Sequence, residues 1–233
     1  MARTDHCWTD VVDPSEQEIY SEFFNRKERI VGDRPALLAI DLYEKVYAGG
    51  PLPVREVNRT HPGACGIHAF NAIEPTKQLF AAARAAGIPI IYTTGNANPR
   101  VMATNRQRDQ KEIASRSGYT IWKDFAPQPS DLIIYKERAS GFFGTPLVAH
   151  LQQWGVRSVI VCGESTSGCV RASVVEGFSN GFHITVAEEC VFDRSILSHK
   201  VALFDMHHKY ADVMHVEDIV SHLNGLPRMK AAS

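Results

Sequence analysis

The sequence predicts an α/β fold in three layers, an α/β/α sandwich with helices on both faces of a central parallel six-stranded sheet in a Rossmann-like topology. Two observations predict it. Six short apolar runs recur along the chain, and most are continuous rather than alternating, as in strands buried on both faces. Between them lie stretches of helical spacing that close at a glycine. Strand, helix, glycine, strand repeats several times, and parallel crossovers read this way.

The strand candidates are Ala36 to Asp41, Ile88 to Thr93, Asp131 to Tyr135, Ser158 to Cys162, His183 to Ala187 and Asp212 to His215. Helical stretches run from Asn71 to Ala86 before Gly87, from Pro146 to Trp154 before Gly155, and from Cys169 to Asn180 before Gly181. A glycine in that place is a natural C-cap. Pro14 to Arg29 reads as a helix outside the core, at a subunit contact. Tyr47 to Ala69 is rich in Gly, Pro and polar residues and reads as a long loop, a lid or an interface arm. Asn96 to Ser117, with Arg100, Arg106, Arg108 and Lys111, reads as an exposed excursion over the carboxyl edge of the sheet. No repeat or linker divides the chain, so a single domain is expected over residues 1–233, with 1–34 as a helical N-terminal extension.

Composition narrows the class. The chain has 233 residues, 44% hydrophobic and 22% charged, with a net charge of -1. No basic stripe points to nucleic acid, and no apolar run reaches the roughly 20 residues that span a bilayer. The start, MARTDHCWTDVVDPSEQ, is polar and acidic, unlike a signal peptide, so a cytoplasmic protein is expected. Five irregularly spaced cysteines, Cys7, Cys65, Cys162, Cys169 and Cys190, form neither a disulfide framework nor a CxxC pair. There is no phosphate-binding P-loop and no GxGxxG, so no nucleotide cofactor is expected.

Ligands of open parallel sheets sit beyond the carboxyl ends of the strands. Asp41 ends the first apolar run, Lys136 directly follows the third, and Cys169 follows the fourth by seven residues. Each has an ordinary role open to it: a strand-end Asp as a cap, a solvated Lys, a Cys that merely packs. Their convergence on one edge suggests chemistry instead. A helix N-terminus and a nearby lysine lower a thiol's pKa. A carboxylate within reach can take the thiol proton and pass it to a leaving amine.

The stretch GESTSGCVRAS, Gly163 to Ser173, resembles the nucleophile loop of isochorismatase-like cysteine hydrolases, whose Gly-x-x-Thr-x-x-Cys-Val is matched by Gly163, Thr166, Cys169 and Val170. YKERASGFFGTPLVAHL resembles the family's lysine segment, with Lys136, Ser140, Phe143, Thr145 and Leu147 in place, and ALLAID resembles the strand that carries its aspartate. The likeness runs from about Pro35 to Val216 and is greatest to the branch of N-carbamoylsarcosine amidohydrolases and maleamate-type amidases, supported by FDRS and the later KYADV. The resemblance implies a homo-oligomer, with a tetramer favoured. It implies Cys169 as nucleophile, Asp41 as general base and then acid, and Lys136 as the group that holds the pair. It also implies the backbone N–H groups of Ser165 and Cys169 as the oxyanion hole, a cis Glu164–Ser165 bond, and Arg194 as the partner of a substrate carboxylate. Two departures bear on substrate identity. Asp41-Leu42-Tyr43 replaces the common Asp-x-Gln, and the large acidic Glu164 stands where the family has a small apolar residue. Glu164 is therefore a candidate ligand for a polar, amide-rich substrate.

Metal-dependent relatives carry histidines near the aspartate and after the second strand. Here that position reads Thr94-Gly95-Asn96-Ala97-Asn98, while His199, His207, His208 and His215 lie elsewhere, so no catalytic metal is expected. The expected activity is C–N hydrolysis of a small N-carbamoyl, ureido or amide compound with release of ammonia. A biuret- or triuret-type or a maleamate-type substrate is the alternative. Outside that class stand a non-catalytic binding or assembly protein and a redox-sensing thiol.

Overall fold

In this computed structural model, which describes residues 5–23, 30–96 and 118–227, the continuous apolar runs become central strands for a simple reason. Every residue of β1 (Pro35–Ile40) and β4 (Ser158–Glu164) is buried, because both faces of these strands are covered by helices. Odd positions of β1, Leu37 and Ala39, join one core with Ile90 and Tyr92 of β2 (Ile90–Gly95). Even positions, Leu38 and Ile40, join a second core with Val159 and Val161 of β4. Strands at the sheet's rims are less apolar. β3 (Leu132–Lys136) and β6 (Asp212–Met214) are only partly buried, as edge strands with one neighbour.

The sheet has six strands in the order β3-β2-β1-β4-β5-β6, all parallel, with β5 at His183–Phe192. The chain moves outward from β1 to β3, then returns to β4 beside β1 and moves the other way. The topological switch point therefore lies between β1 and β4, where the crevice of such sheets opens.

The helices follow in chain order: α1 (Pro14–Phe23), α2 (Glu44–Tyr47), α3 (Val54–Val57), α4 (Ile67–Asn71), α5 (Ile73–Ala86), α6 (Leu147–Gln153), α7 (Arg171–Ser179), α8 (Ile196–Lys209) and α9 (Val216–Gly225). One face of the sheet is covered by α5 and α9, the other by α6, α7 and α8. Gly87 caps α5 with φ 70°, as its place in the sequence predicts. No described helix is long and apolar enough to cross a membrane.

Three local expectations change. Asn71 to Ala86 is not one helix, since α4 ends at Asn71 and α5 begins only at Ile73, with Ala72 between them. The expected loop from Tyr47 to Ala69 contains α3 and most of α4, and Val57, Ala64, Cys65 and Ala69 in it are buried, so it is a packed part of the core. Cys169 does not open an α-helix: it sits in a π-turn, Thr166–Val170, that leads into α7. The expected excursion over Asn96 to Ser117 falls almost wholly on residues 97–117, outside the described residues.

Candidate active site

Asp41, Lys136 and Cys169 reach one place from three strands. Asp41 leaves β1 with φ 55°, a left-handed conformation that Asp tolerates better than most residues. Its backbone N–H donates to Thr93 O at 3.1 Å, and its Oδ1 accepts from Thr93 Oγ1 at 3.0 Å. Lys136, the last residue of β3, lies across β2 from β1. Its Nζ is 2.7 Å from Asp41 Oδ2 and donates to Cys169 Sγ at 3.4 Å and Arg138 O at 3.3 Å. Three donors of one ammonium are thus used on three acceptors, which fixes the side chain.

The loop that carries Cys169 is held by its sequence. Gly163 has φ 112°, and a Cβ there would lie 1.9 Å from Ile40 O, so only glycine lets β4 pass β1 at this point. The Glu164–Ser165 peptide is cis. Asp193 Oδ2 accepts from Ser167 N at 2.8 Å and Ser167 Oγ at 2.7 Å, while Oδ1 accepts from Arg194 N at 2.7 Å. Thr166 Oγ1 is 2.8 Å from His199 Nδ1 of α8. Ser173 Oγ donates to Cys169 O at 2.7 Å and accepts from Gly141 N at 2.9 Å, tying the loop to the segment after Lys136.

Electrostatics correct one expectation. The thiol of Cys169 is not lowered: burial, then the Asp41 carboxylate, push it up to about 12 against the opposing Lys136 charge. At rest the sulfur is a thiol whose proton faces a carboxylate. Burial pulls Lys136 down, but Asp41 and Cys169 more than offset it, and its net shift is upward. The ammonium stays charged.

Beside these three lies a second pair. Glu164, 3% exposed, accepts from Arg194 Nη1 at 3.0 Å and from Tyr43 Oη at 3.5 Å, and Cys65 Sγ is 3.6 Å from it. Burial first, and Asp41 as well, raise its pKa to about 7, although Arg194 opposes the shift. Arg194 Nε donates to Gly63 O at 2.8 Å, and Nη2 donates to the same oxygen. Arg194, expected to face a substrate carboxylate, is thus already engaged by the residue whose role the sequence left open. Cys65, Thr93, Ser167 and Asp193 were given no site role by the sequence. Tyr43 had a signal, as the residue that replaces the common Gln two places after Asp41, and Asp193 had one as part of FDRS.

A carboxylate, an ammonium and a thiol thus meet at the carboxyl edge of a parallel sheet, where ligands of such sheets bind. The isochorismatase domain matches residues 35–218. Maleamate amidohydrolase of Pseudomonas putida is 33% identical over 202 residues, which cover 84% of this chain and 89% of that protein. N-carbamoylsarcosine amidase of an Arthrobacter species is 28% identical over 222 residues, covering 91% of this chain and 80% of that one. Among solved structures, a cysteine hydrolase of Pseudomonas syringae pv. phaseolicola shares the fold, with a TM-score of 0.71 at 19% identity over 85% of this chain and 99% of that one. The chain belongs to the isochorismatase family, and it stands with the family's hydrolases of carbon–nitrogen bonds other than peptide bonds.

Proposed function

We propose that the protein is a cysteine amidohydrolase that removes ammonia from the terminal amide of a small N-carbamoyl or carboxamide compound through a covalent acyl intermediate on Cys169. The observation that carries this reading is Lys136 Nζ bridging Asp41 Oδ2 at 2.7 Å and Cys169 Sγ at 3.4 Å. As Sγ attacks the carbonyl carbon, its proton passes to Asp41. The oxyanion is taken by the backbone N–H groups of Ser165 and Cys169. Asp41 returns the proton to the leaving nitrogen, ammonia departs, and a thioester or thiocarbamate remains. Water, deprotonated by Asp41, then attacks the acyl carbon, and the thiol regains its proton from Asp41. A carboxamide leaves as a carboxylate. A ureido compound leaves as a carbamate, which decomposes to carbon dioxide and an amine. Lys136 stays protonated and keeps base and nucleophile in register.

An acidic substrate of the N-carbamoylsarcosine type is the preferred version. N-carbamoylsarcosine and maleamate, for which the two relatives are named, each carry a carboxylate beside the amide, and Arg194, paired with Glu164, is a cation that such a carboxylate can meet. With Glu164 near 7, uptake of one proton frees Arg194 to receive that carboxylate. The Arg194–Glu164 pair also favours a second version. When Glu164 is ionised it neutralises Arg194, and the pair suits a neutral biuret- or triuret-type amide, with Glu164 accepting from an amide N–H. A homo-oligomer in the cytoplasm accords with the exposed Ile196, Leu197 and Val201 on α8 and with five unpaired thiols.

The test is a slow substrate and intact-mass spectrometry. Wild-type protein should trap one acyl or carbamoyl mass on Cys169. Cys169→Ser should fold but lose about three to six orders of magnitude in kcat. Near-wild-type turnover by the serine variant would overturn the nucleophile assignment.

A further inference from the structure

The carboxyl ends of β5 and β6 carry a second cluster, built from different residues. Ala187 and Met214 are the last paired positions of the β5–β6 ladder, so Glu188 and His215 are the next residues along two adjacent parallel strands. The register of β5 slips against β4 between the pairs Val161–Val186 and Gly163–Val191, and Glu188 and Glu189 lie in that irregular stretch. Such irregularities re-aim side chains. The N-terminal segment lays His6 over this point.

Glu188 and Glu189 hold two imidazoles in the same manner. Glu188 Oε2 faces His6 Nδ1 at 2.5 Å, and its Oε1 accepts the backbone N–H of Cys7 at 2.6 Å. Glu189 Oε1 faces His215 Nδ1, and its Oε2 accepts the backbone N–H of Val216 at 2.8 Å. The two rings stack 5.4 Å apart at an interplanar angle of 5°. His6, Glu188 and His215 are each buried, and each offers one donor atom within 4.8 Å of those of the other two.

We propose that His6, Glu188 and His215 form a binding site for one zinc-class divalent cation, which fastens the N-terminal segment to the sheet. Three observations carry it beyond mere proximity. The donor set is two imidazoles and one carboxylate, the nitrogen-and-oxygen set that zinc and its first-row neighbours accept. With His215 Nδ1 facing the Glu189 carboxylate, the ring nitrogen left for a cation is Nε2, the carboxylate–imidazole–metal arrangement that orients ligands in metal sites. That Nε2 is buried and makes no hydrogen bond of sound geometry among the described residues, although Asp5 Oδ1 stands 3.2 Å away, placed as a fourth ligand. Tetrahedral ligands of zinc lie about 3.3 Å from one another, so side-chain movements of about an ångström close the site. On binding, the cation displaces the proton shared by His6 and Glu188.

The cluster shares no residue with the Asp41–Lys136–Cys169 group, so a cation here is a clasp and takes no part in hydrolysis. The test uses the full chain with Cys169→Ser, which removes the thiol most able to bind zinc elsewhere. Calorimetric titration of the metal-free protein with zinc chloride should give one equivalent per chain, and zinc should raise the midpoint of thermal unfolding. His6→Gln keeps a hydrogen-bonding side chain but loses a good ligand, and should weaken binding at least a hundredfold. Glu189→Gln should weaken it by about ten- to a hundredfold through His215. Cobalt in place of zinc should give the intense visible bands of a tetrahedral nitrogen-and-oxygen site with no thiolate charge-transfer band. Absence of zinc binding up to millimolar metal, or binding that His6→Gln leaves unchanged, would overturn the proposal. In the wild type, a chelator should lower the unfolding midpoint and leave kcat alone. A parallel loss of kcat that zinc restores would overturn the separation from catalysis.

Discussion

Two ion pairs stand side by side in this site, one buried throughout and the other open to solvent at its cation. Lys136–Asp41 is closed on both sides, with side-chain exposures of 7% and 2%, and its ammonium also meets Cys169 Sγ. Arg194–Glu164 is closed on one side only: the carboxylate is 5% exposed and the guanidinium 34%. Burial of an acid is costly unless the partner is close and shielded from water. Asp41 has such a partner, and Thr93 as well. Glu164 has a partner reached by solvent, and its pKa rises to about 7. In the first pair Lys136 keeps its charge, because its net shift is upward. The second sits at the edge of losing its charge, which suits recognition.

The comparison breaks if both pairs respond alike to removal of the acid. Asp41→Asn deletes the proton acceptor and one anchor of Lys136, and should lower kcat by about three to four orders of magnitude. Glu164→Gln should cost far less in kcat and show its effect in KM. Steady-state kinetics of the two variants on one substrate checks this, and equal losses in kcat would mean that Glu164 belongs to the chemistry.

A smaller effect sharpens it. Arg194→Ala should cost about 2 to 4 kcal/mol in kcat/KM for substrates bearing a carboxylate, since their charge would be left without a partner, and much less for neutral analogues. Matched pairs of substrates with and without the carboxylate measure this directly. A wild-type preference for the neutral member of each pair would favour the biuret-type version and leave the cysteine chemistry standing.

The smallest effect is in pH. Glu164 holds its proton below about 7, and only then is Arg194 without its carboxylate partner, though still bound to Gly63 O. The ratio of kcat/KM for acidic over neutral substrates should fall about tenfold from pH 6 to pH 8, as one proton is lost. Taking the ratio cancels the titration of groups common to both. The same shift bears on stability. The folded-state pKa lies above the ordinary 4.5, so the native state holds more protons than the unfolded chain between 4.5 and 7, and stability falls as pH rises through that window. Glu164→Gln should flatten that decline in denaturant titrations, and an unchanged slope would assign it to another group.

The layered fold was legible because its signals are local. Continuous apolar runs such as LLAI can only be buried on both faces, and glycines such as Gly87 end helices by their own conformational freedom. Of the candidate site, Asp41, Lys136 and Cys169 were legible because Asp41 and Lys136 stand at strand ends and Cys169 in the turn that follows one, at one edge of a parallel sheet, and because their segments resemble those of isochorismatase-like cysteine hydrolases. What the sequence did not carry depends on distance in space and on burial. The thiol was expected low, from a helix end and a nearby lysine. The fold buries it beside a carboxylate in a π-turn, and desolvation outweighs the lysine. Glu164 and Arg194 lie 30 residues apart, and nothing in their spacing says that one occupies the other. His6 and Glu188 are 182 residues apart, and only the β5–β6 ladder and the path of the N-terminal segment bring them within reach of His215. By itself the sequence determined which groups could react and at which edge of the sheet they would stand, since periodicity and chain order are one-dimensional. Tertiary structure decided their charges and their partners, because solvation and Coulomb energy depend on what else is packed within a few ångströms.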